Sequence, residues 1–197
     1  MNLTYRREVH ETKGVKRRAL AAAAEILVEE GAEAMSLRAI AERAQIGIAS
    51  IYHYFSGKED LLVSLAISGF ACLRREMMSG EAAPDIPWPI GLAAQTFLDF
   101  ADGNPALFML MHDIALMARH EALRDAEQEA LLAFQAIVGS DPRVPPDKAR
   151  SVASTLWALG RGMAAMAASQ PEGKLAAEQR ESIIDGARLL LSGLQSR

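Results

Sequence analysis

Apolar residues recur at i, i+3, i+4 and i+7 through nearly the whole of this chain, and no stretch sustains the period-two alternation of a half-buried strand. Such a pattern leaves room for an all-α fold, divided wherever glycine and proline interrupt it. From Lys16 to Glu30, Leu20, Ala23, Ala24 and Leu27 form one stripe, and Gly31 stands where a residue in the left-handed region ends a helix. Ser36 suits the N-cap of a second, short segment carrying Leu37, Ile40, Ala41 and Ala44, interrupted by Gln45-Ile46-Gly47. A third segment starts at Gly47 or Ile48, repeats the spacing with Ile48, Ile51, Tyr52 and Phe55, and ends at Ser56-Gly57. A long helix then runs from about Lys58 to Met78, the proline-rich stretch "SGEAAPDIPWP" breaks it, and helices follow over 88–102, 105–118, 121–139, 146–169 and 173–194, about nine in all.

With 197 residues, half of them hydrophobic and 23% charged, the chain can bury one sizeable core or two small ones that share a helix. Its single cysteine, Cys72, excludes an internal disulfide and a cysteine-based zinc cluster. No charged segment followed by an apolar one opens the chain, so a cytoplasmic location is expected. The longest apolar tract, around Ala158 to Ala168, contains Arg161 and falls short of the roughly 18 residues of a spanning helix, so no membrane partner is expected. The net charge of −4 is unevenly spread. Residues 1–58 carry nine Lys/Arg against seven Asp/Glu, and residues 59–197 carry twelve against eighteen. Arg6, Arg7, Lys13, Lys16, Arg17 and Arg18 lead into the first helix, as in a small module that meets an anion or in a solvated basic tail.

The third segment holds four ring-bearing side chains in a row, Tyr52, His53, Tyr54 and Phe55. Its period assigns Tyr52 and Phe55 to the buried stripe with Ile51 and turns Ala49, Ser50, His53 and Tyr54 outward. Two short helices joined by a three-residue turn, preceded by a longer one, make a helix-turn-helix, whose second helix enters the DNA major groove. Ala49 lets the backbone approach base edges, Ser50 donates to a base or a phosphate, and His53 and Tyr54 offer polar tips. Lys58 is placed to reach a phosphate, and Arg38 is long enough for either the backbone or a guanine edge.

The segment "SLRAIAERAQIGIASIYHYFSGKEDLL" resembles the DNA-binding part of the tetracycline-repressor (TetR) family, with its Ser/Thr cap, its Leu/Ile-Ala pair and its "(I/L)YxxF…K(E/D)xL(L/V)" ending. The likeness is detailed over residues 15–65. It implies that Arg38 contacts bases or phosphate, that Ala49 and Ser50 face the groove, that His53, Tyr54 and Lys58 hold the DNA backbone, and that Tyr52 and Phe55 pack inside. Three positions depart from the pattern. Gln45 replaces a customary Gly, Gly47 replaces Ser or Thr, and Ile48 replaces Lys or another polar residue. A non-glycine turn and a weaker cap together cost about 1 kcal/mol. Ile48 either packs inward or touches a thymine methyl.

For the rest of the chain the resemblance implies a C-terminal helical body, which dimerises through its last two long helices and encloses a small-molecule cavity whose occupation respaces the two DNA readers. "NPALFMLM" and "LWALGRGMAAM" are similar to one subgroup of such bodies, with Arg161-Gly162 standing where a His-Gly pair is usual. The division is then 1–58 for DNA binding and 59–197 for ligand binding and dimerisation. Gly160, Gly162, Ala164, Ala165, Ala167 and Ala168 allow another helix to come close, and Ile183, Ile184, Ala187, Leu190, Leu191 and Leu194 give the final helix a wide apolar face. That face is covered by a second copy or by its own subunit. Cavity candidates are Phe97, Phe100, Met109, Met117 and Trp157, with His112 and Arg161 as polar anchors. The plainer account of each is ordinary core.

No G-x-S-x-G, phosphate-binding glycine loop or H-E-x-x-H occurs, so no catalytic residue is assigned, and neither a cofactor nor a metal is expected. The expected function is a ligand-responsive transcriptional regulator, most readily a repressor, that binds a pseudo-palindromic operator as a homodimer and is released by an unknown small-molecule effector. The rival is a helical small-molecule-binding or adaptor protein with a non-functional DNA reader.

Overall fold

A computed structural model of the chain describes residues 14–79, 89–170 and 174–193. Arg6, Arg7 and Lys13 of the basic run, most of the proline-rich break and Leu194 lie outside the described residues. Within them every regular element is helical. The order is α1 (Val15–Glu29), α2 (Leu37–Ala44), α3 (Ile48–Tyr54), α4 (Lys58–Ser79), α5 (Pro89–Gly103), α6 (Pro105–Met111), α7 (Ile114–Arg119), α8 (Glu121–Gly139), a 3-10 turn (Pro146–Lys148), α9 (Ala149–Ala168) and α10 (Ala177–Ser192). None of these helices is long and apolar enough to cross a membrane.

Local chemistry accounts for the boundaries. Gly31 ends α1 with φ at 83°, and its N–H donates to the Ile26 carbonyl at 3.1 Å. Ser36 caps α2, its Oγ accepting from the Ala39 N–H at 3.0 Å. The helix expected over 105–118 is in fact two. His112 closes α6, and the Asp113 carboxylate caps α7 by accepting from the Leu116 N–H at 2.8 Å. Apolar spacing runs straight across this joint, so periodicity hides it, and the lone Asp is its only local sign. The helix expected over 146–169 begins with a 3-10 turn and becomes α-helical at Ala149, since Pro145 and Pro146 supply no N–H to the opening turn. The last helix, expected over 173–194, spans 177–192.

Contacts divide the chain into two units, residues 1–72 with 103–126, and residues 73–102 with 127–197. The first unit has a core of Ala19, Leu20, Ala23, Ile26, Leu27, Leu37, Ile40, Ile51, Phe55, Leu61, Leu65, Phe70, Leu107 and Met111. Gly69 lies so close to α6 that an added Cβ would stand 2.6 Å from the Met111 sulfur, a gap only a hydrogen can fill. In the second unit Phe97, Phe100, Ala130, Phe134, Val138, Val152, Ala153, Trp157, Met163 and Ala167 are buried. There Gly160 fits beneath the Phe97 ring, where an added Cβ would be 2.7 Å from Cε1. The close approach at Gly160 is thus taken up by α5 of the same subunit, whereas Gly162 faces open space.

Candidate nucleic-acid interface

α3 buries one of its seven residues. Ile51 is fully buried, Phe55 just beyond the helix is fully buried too, and Ile48, Ala49, Ser50, Tyr52, His53 and Tyr54 are all exposed. Ile51 and Phe55 stand four apart and form a single row of contact with the core. Tyr52 lies about 100° around the helix from Ile51 and is 62% exposed, so its expected place in the buried stripe is corrected. A two-turn helix docks through one row, and the flanking positions, Ile48 and Tyr52, stay in solvent. Ile48, 42% exposed, does not pack inward.

The rings of His53 and Tyr54 meet edge to face at 5.1 Å. Arg38 is highly exposed, with Nε 3.4 Å from Glu42 Oε1, a surface pair of little weight. Together with Ala41, Glu42, Gln45, Ile46 and Ile48 it lines an open groove beside the turn. Lys58, half-buried, donates from Nζ to the Glu33 carbonyl at 3.1 Å, which ties α4 to the loop before α2. The Asp60 carboxylate accepts from the Ser56 N–H at 2.9 Å and from its hydroxyl at 3.1 Å, fixing the short link from α3 to α4.

Two groups that sequence reasoning missed brace this module. Arg43 donates to Glu29 at 2.8 Å and to Glu30 at 3.0 Å, joining α2 to α1; the Glu29 hydrogen bond is the main reason its pKa is raised. Glu59, in the first turn of α4, has Oε1 2.7 Å from His120 Nε2 and accepts twice from Arg119 at 3.2 Å. The His120 hydrogen bond first, and the Arg119 hydrogen bond second, hold the Glu59 carboxyl below its ordinary pKa. These partners are about sixty residues apart in sequence, too far for any local pattern to pair them.

The seven residues expected to line a ligand cavity fall into both units. In the second, the rings of Phe97 and Trp157 meet at 5.0 Å, and Trp157 Nε1 and Arg161 Nη1 both donate to Glu127 Oε1, at 3.3 and 2.9 Å. Phe100 is fully buried nearby in sequence, on the same helix as Phe97. The expected polar anchor Arg161 therefore already has a carboxylate partner. In the first unit, Met109 is 49% exposed, Met117 is half-buried, and the His112 ring meets Phe70 edge to face at 5.2 Å and lies tilted against Phe108 at 4.4 Å, with Nδ1 2.9 Å from the Phe108 carbonyl. A small cavity in the second unit is lined instead by Leu98, Ala101, Asp102, Met163, Ala164, Lys174, Leu175 and Arg180, none of them among the seven. No group of His, Cys, Asp and Glu among the described residues could hold a metal ion.

Comparison with known proteins bears on the same two regions. Residues 19–65 match the family described as bacterial regulatory proteins, tetR family. Residues 91–188 match the tetracyclin repressor-like C-terminal domain. No curated protein matches the chain. Among solved structures, the fatty acid degradation regulator FadR from Bacillus halodurans is 20% identical, with a TM-score of 0.61 over 95% of this chain and 100% of that one. A TetR/AcrR-family regulator from Thermobifida fusca is 22% identical, with a TM-score of 0.63 over 90% and 97%. A TetR-family regulator from Streptomyces coelicolor is 23% identical, with a TM-score of 0.57 over 91% and 96%. At such identities the likeness is one of fold.

Proposed function

The chain belongs to the tetR family of bacterial regulatory proteins and is a DNA-binding transcriptional regulator, and on that premise we propose that it is a repressor, released from a pseudo-palindromic operator by a small molecule. Residues 1–58 read DNA, and residues 59–197 bind effector and dimerise. Each subunit inserts α3 into a major groove, with Ala49 and Ser50 nearest the base edges and Ile48 offered to a thymine methyl. Arg38 reaches a base or a phosphate, while His53, Tyr54, Lys58 and the N-terminal basic residues neutralise phosphates. Tyr52 joins this set, because its exposure frees the phenol for the DNA backbone.

The observation that carries the reading is that six of the seven residues of α3 are exposed, on a helix whose buried side chains are Ile51 and, just past its end, Phe55. A helix this short has no stability of its own, and tertiary contact through one row leaves a polar and aromatic face without a structural task. Two features support a homodimer through the last two helices. No described side chain of α10 is buried, and α9 turns Ser151, Ser154, Ala158, Gly162 and Ala165 to solvent as a narrow strip of small residues. The effector site is placed at the Phe97, Phe100, Trp157 and Arg161 cluster, where an incoming ligand competes for the donors now held by Glu127. Binding there shifts the operator-bound population only by the difference in effector affinity between the two states. The regulator acts in the cytoplasm, where its DNA lies.

Selection of bound fragments from random DNA tests the reading. It should return two inverted half-sites whose centres are about one helical turn, roughly 34–36 Å, or a multiple of it apart. Recovery of unrelated fragments with no shared half-site removes it.

A further inference from the structure

Gln45 is the only described non-glycine residue with positive φ, at 53° with ψ at 47°. It opens the turn between α2 and α3, so its backbone sets the direction in which α3 departs. A side chain in the left-handed region costs free energy that glycine would not. The turn is held from inside by the Gln45 N–H donating to the Glu42 carbonyl at 3.1 Å and the Ile46 N–H donating to the Ala41 carbonyl at 2.9 Å. It is held from outside by Arg18 of α1, whose Nη2 donates to the Ala44 carbonyl at 2.6 Å and to the Gln45 carbonyl at 3.1 Å. Both acceptors sit at the C-terminal end of α2, where the last carbonyls lack helical partners and carry the negative end of the helix dipole. A guanidinium there meets two oxygens and a favourable field at once.

We propose that Arg18 is a positioning residue for DNA reading: its guanidinium clamps the Ala44 and Gln45 carbonyls, and this fixes the angle at which α3 is presented. The inference rests on the DNA-binding role above, and it takes Arg18 out of the set of phosphate neutralisers to which its place in the basic run would assign it. Lys16 and Arg17, exposed on the same turn of α1, remain in that set.

Salt dependence separates the two roles. Each phosphate contact contributes about 0.9 to the slope of log affinity against log salt, whereas a clamp contributes nothing to it. On fragments selected with the wild-type protein, Arg18→Ala should bind about tenfold more weakly, the scale of one charge-assisted hydrogen bond, with the wild-type slope unchanged. Arg18→Lys keeps the charge but ends one bond short of the Nη2 that makes both contacts, and should resemble Arg18→Ala. Gln45→Gly should bind like wild type and, placed in the Arg18→Ala background, should return affinity to within about threefold of it, because glycine takes the turn conformation without help. Helix content by circular dichroism should stay at the wild-type level throughout. A slope lowered by about one in Arg18→Ala overturns the proposal, as do undiminished affinity, recovery by lysine, or no rescue by Gln45→Gly. A wild-type protein that selects no DNA overturns the DNA-binding role and this inference with it. A wild type that binds while Arg18→Ala matches it overturns the clamp alone.

Discussion

Phe55 and Tyr52 lie three residues apart and answer to opposite demands. Phe55 is fully buried, so Phe55→Ala should cost about 3–5 kcal/mol in denaturant unfolding, the transfer of a large aromatic plus the cavity it leaves. Tyr52 touches mostly water, so Tyr52→Ala should change stability by no more than about 0.5 kcal/mol while weakening DNA binding in a band shift. Unchanged DNA affinity in that variant would exclude the phenol from the interface. Lys58→Ala should weaken all DNA sequences about equally, whereas Arg38→Ala or Ser50→Ala should alter which bases are selected. In the second unit, Gly160→Ala forces a Cβ against the Phe97 ring and should destabilise by about 1–3 kcal/mol in thermal melting.

Among the elements, α4 begins with a carboxylate gripped by His120 and Arg119. Since the native Glu59 pKa is lowered, its contribution is complete above the ordinary value of 4.5 and is lost as the pH falls through the lower native value. The gap in melting temperature between wild type and Glu59→Gln, open at neutral pH, should therefore close as the solution is acidified below 4.5. A gap that persists to the most acidic point would mean that the carboxylate charge is not what holds Arg119 and His120. Most helices were legible in the sequence because caps and periodicity act within one turn, as at Gly31 and Ser36. The α6–α7 joint was not, because the apolar rhythm of Leu107, Leu110, Met111 and Leu116 is indifferent to it. Tyr52 was misplaced for a related reason. Period alone specifies which residues share a face, and the depth of docking decides how wide the buried part of that face is.

For the molecule as a whole, the basic excess lies in residues 1–58 and the acidic excess in residues 59–197. The exposure of Arg38, Ala49, Ser50, His53 and Tyr54 was readable because it follows from helix geometry, whereas the Arg18 contacts and the Glu127 bridge to Trp157 and Arg161 depend on chain crossings that no local pattern records. If the last helix is half of a dimer seam, Leu189, 73% exposed, lies on it. Leu189→Glu should then yield a monomer at micromolar concentration in sedimentation, with wild-type helix content and weaker DNA binding; an intact dimer would move the seam away from that side chain. The exposure of six positions on α3 has a wider consequence. Almost nothing in folding depends on them, so copies of such a gene can drift at these positions and acquire new genomic addresses without passing through an unfoldable intermediate, provided that Ile51 and Phe55 stay in place.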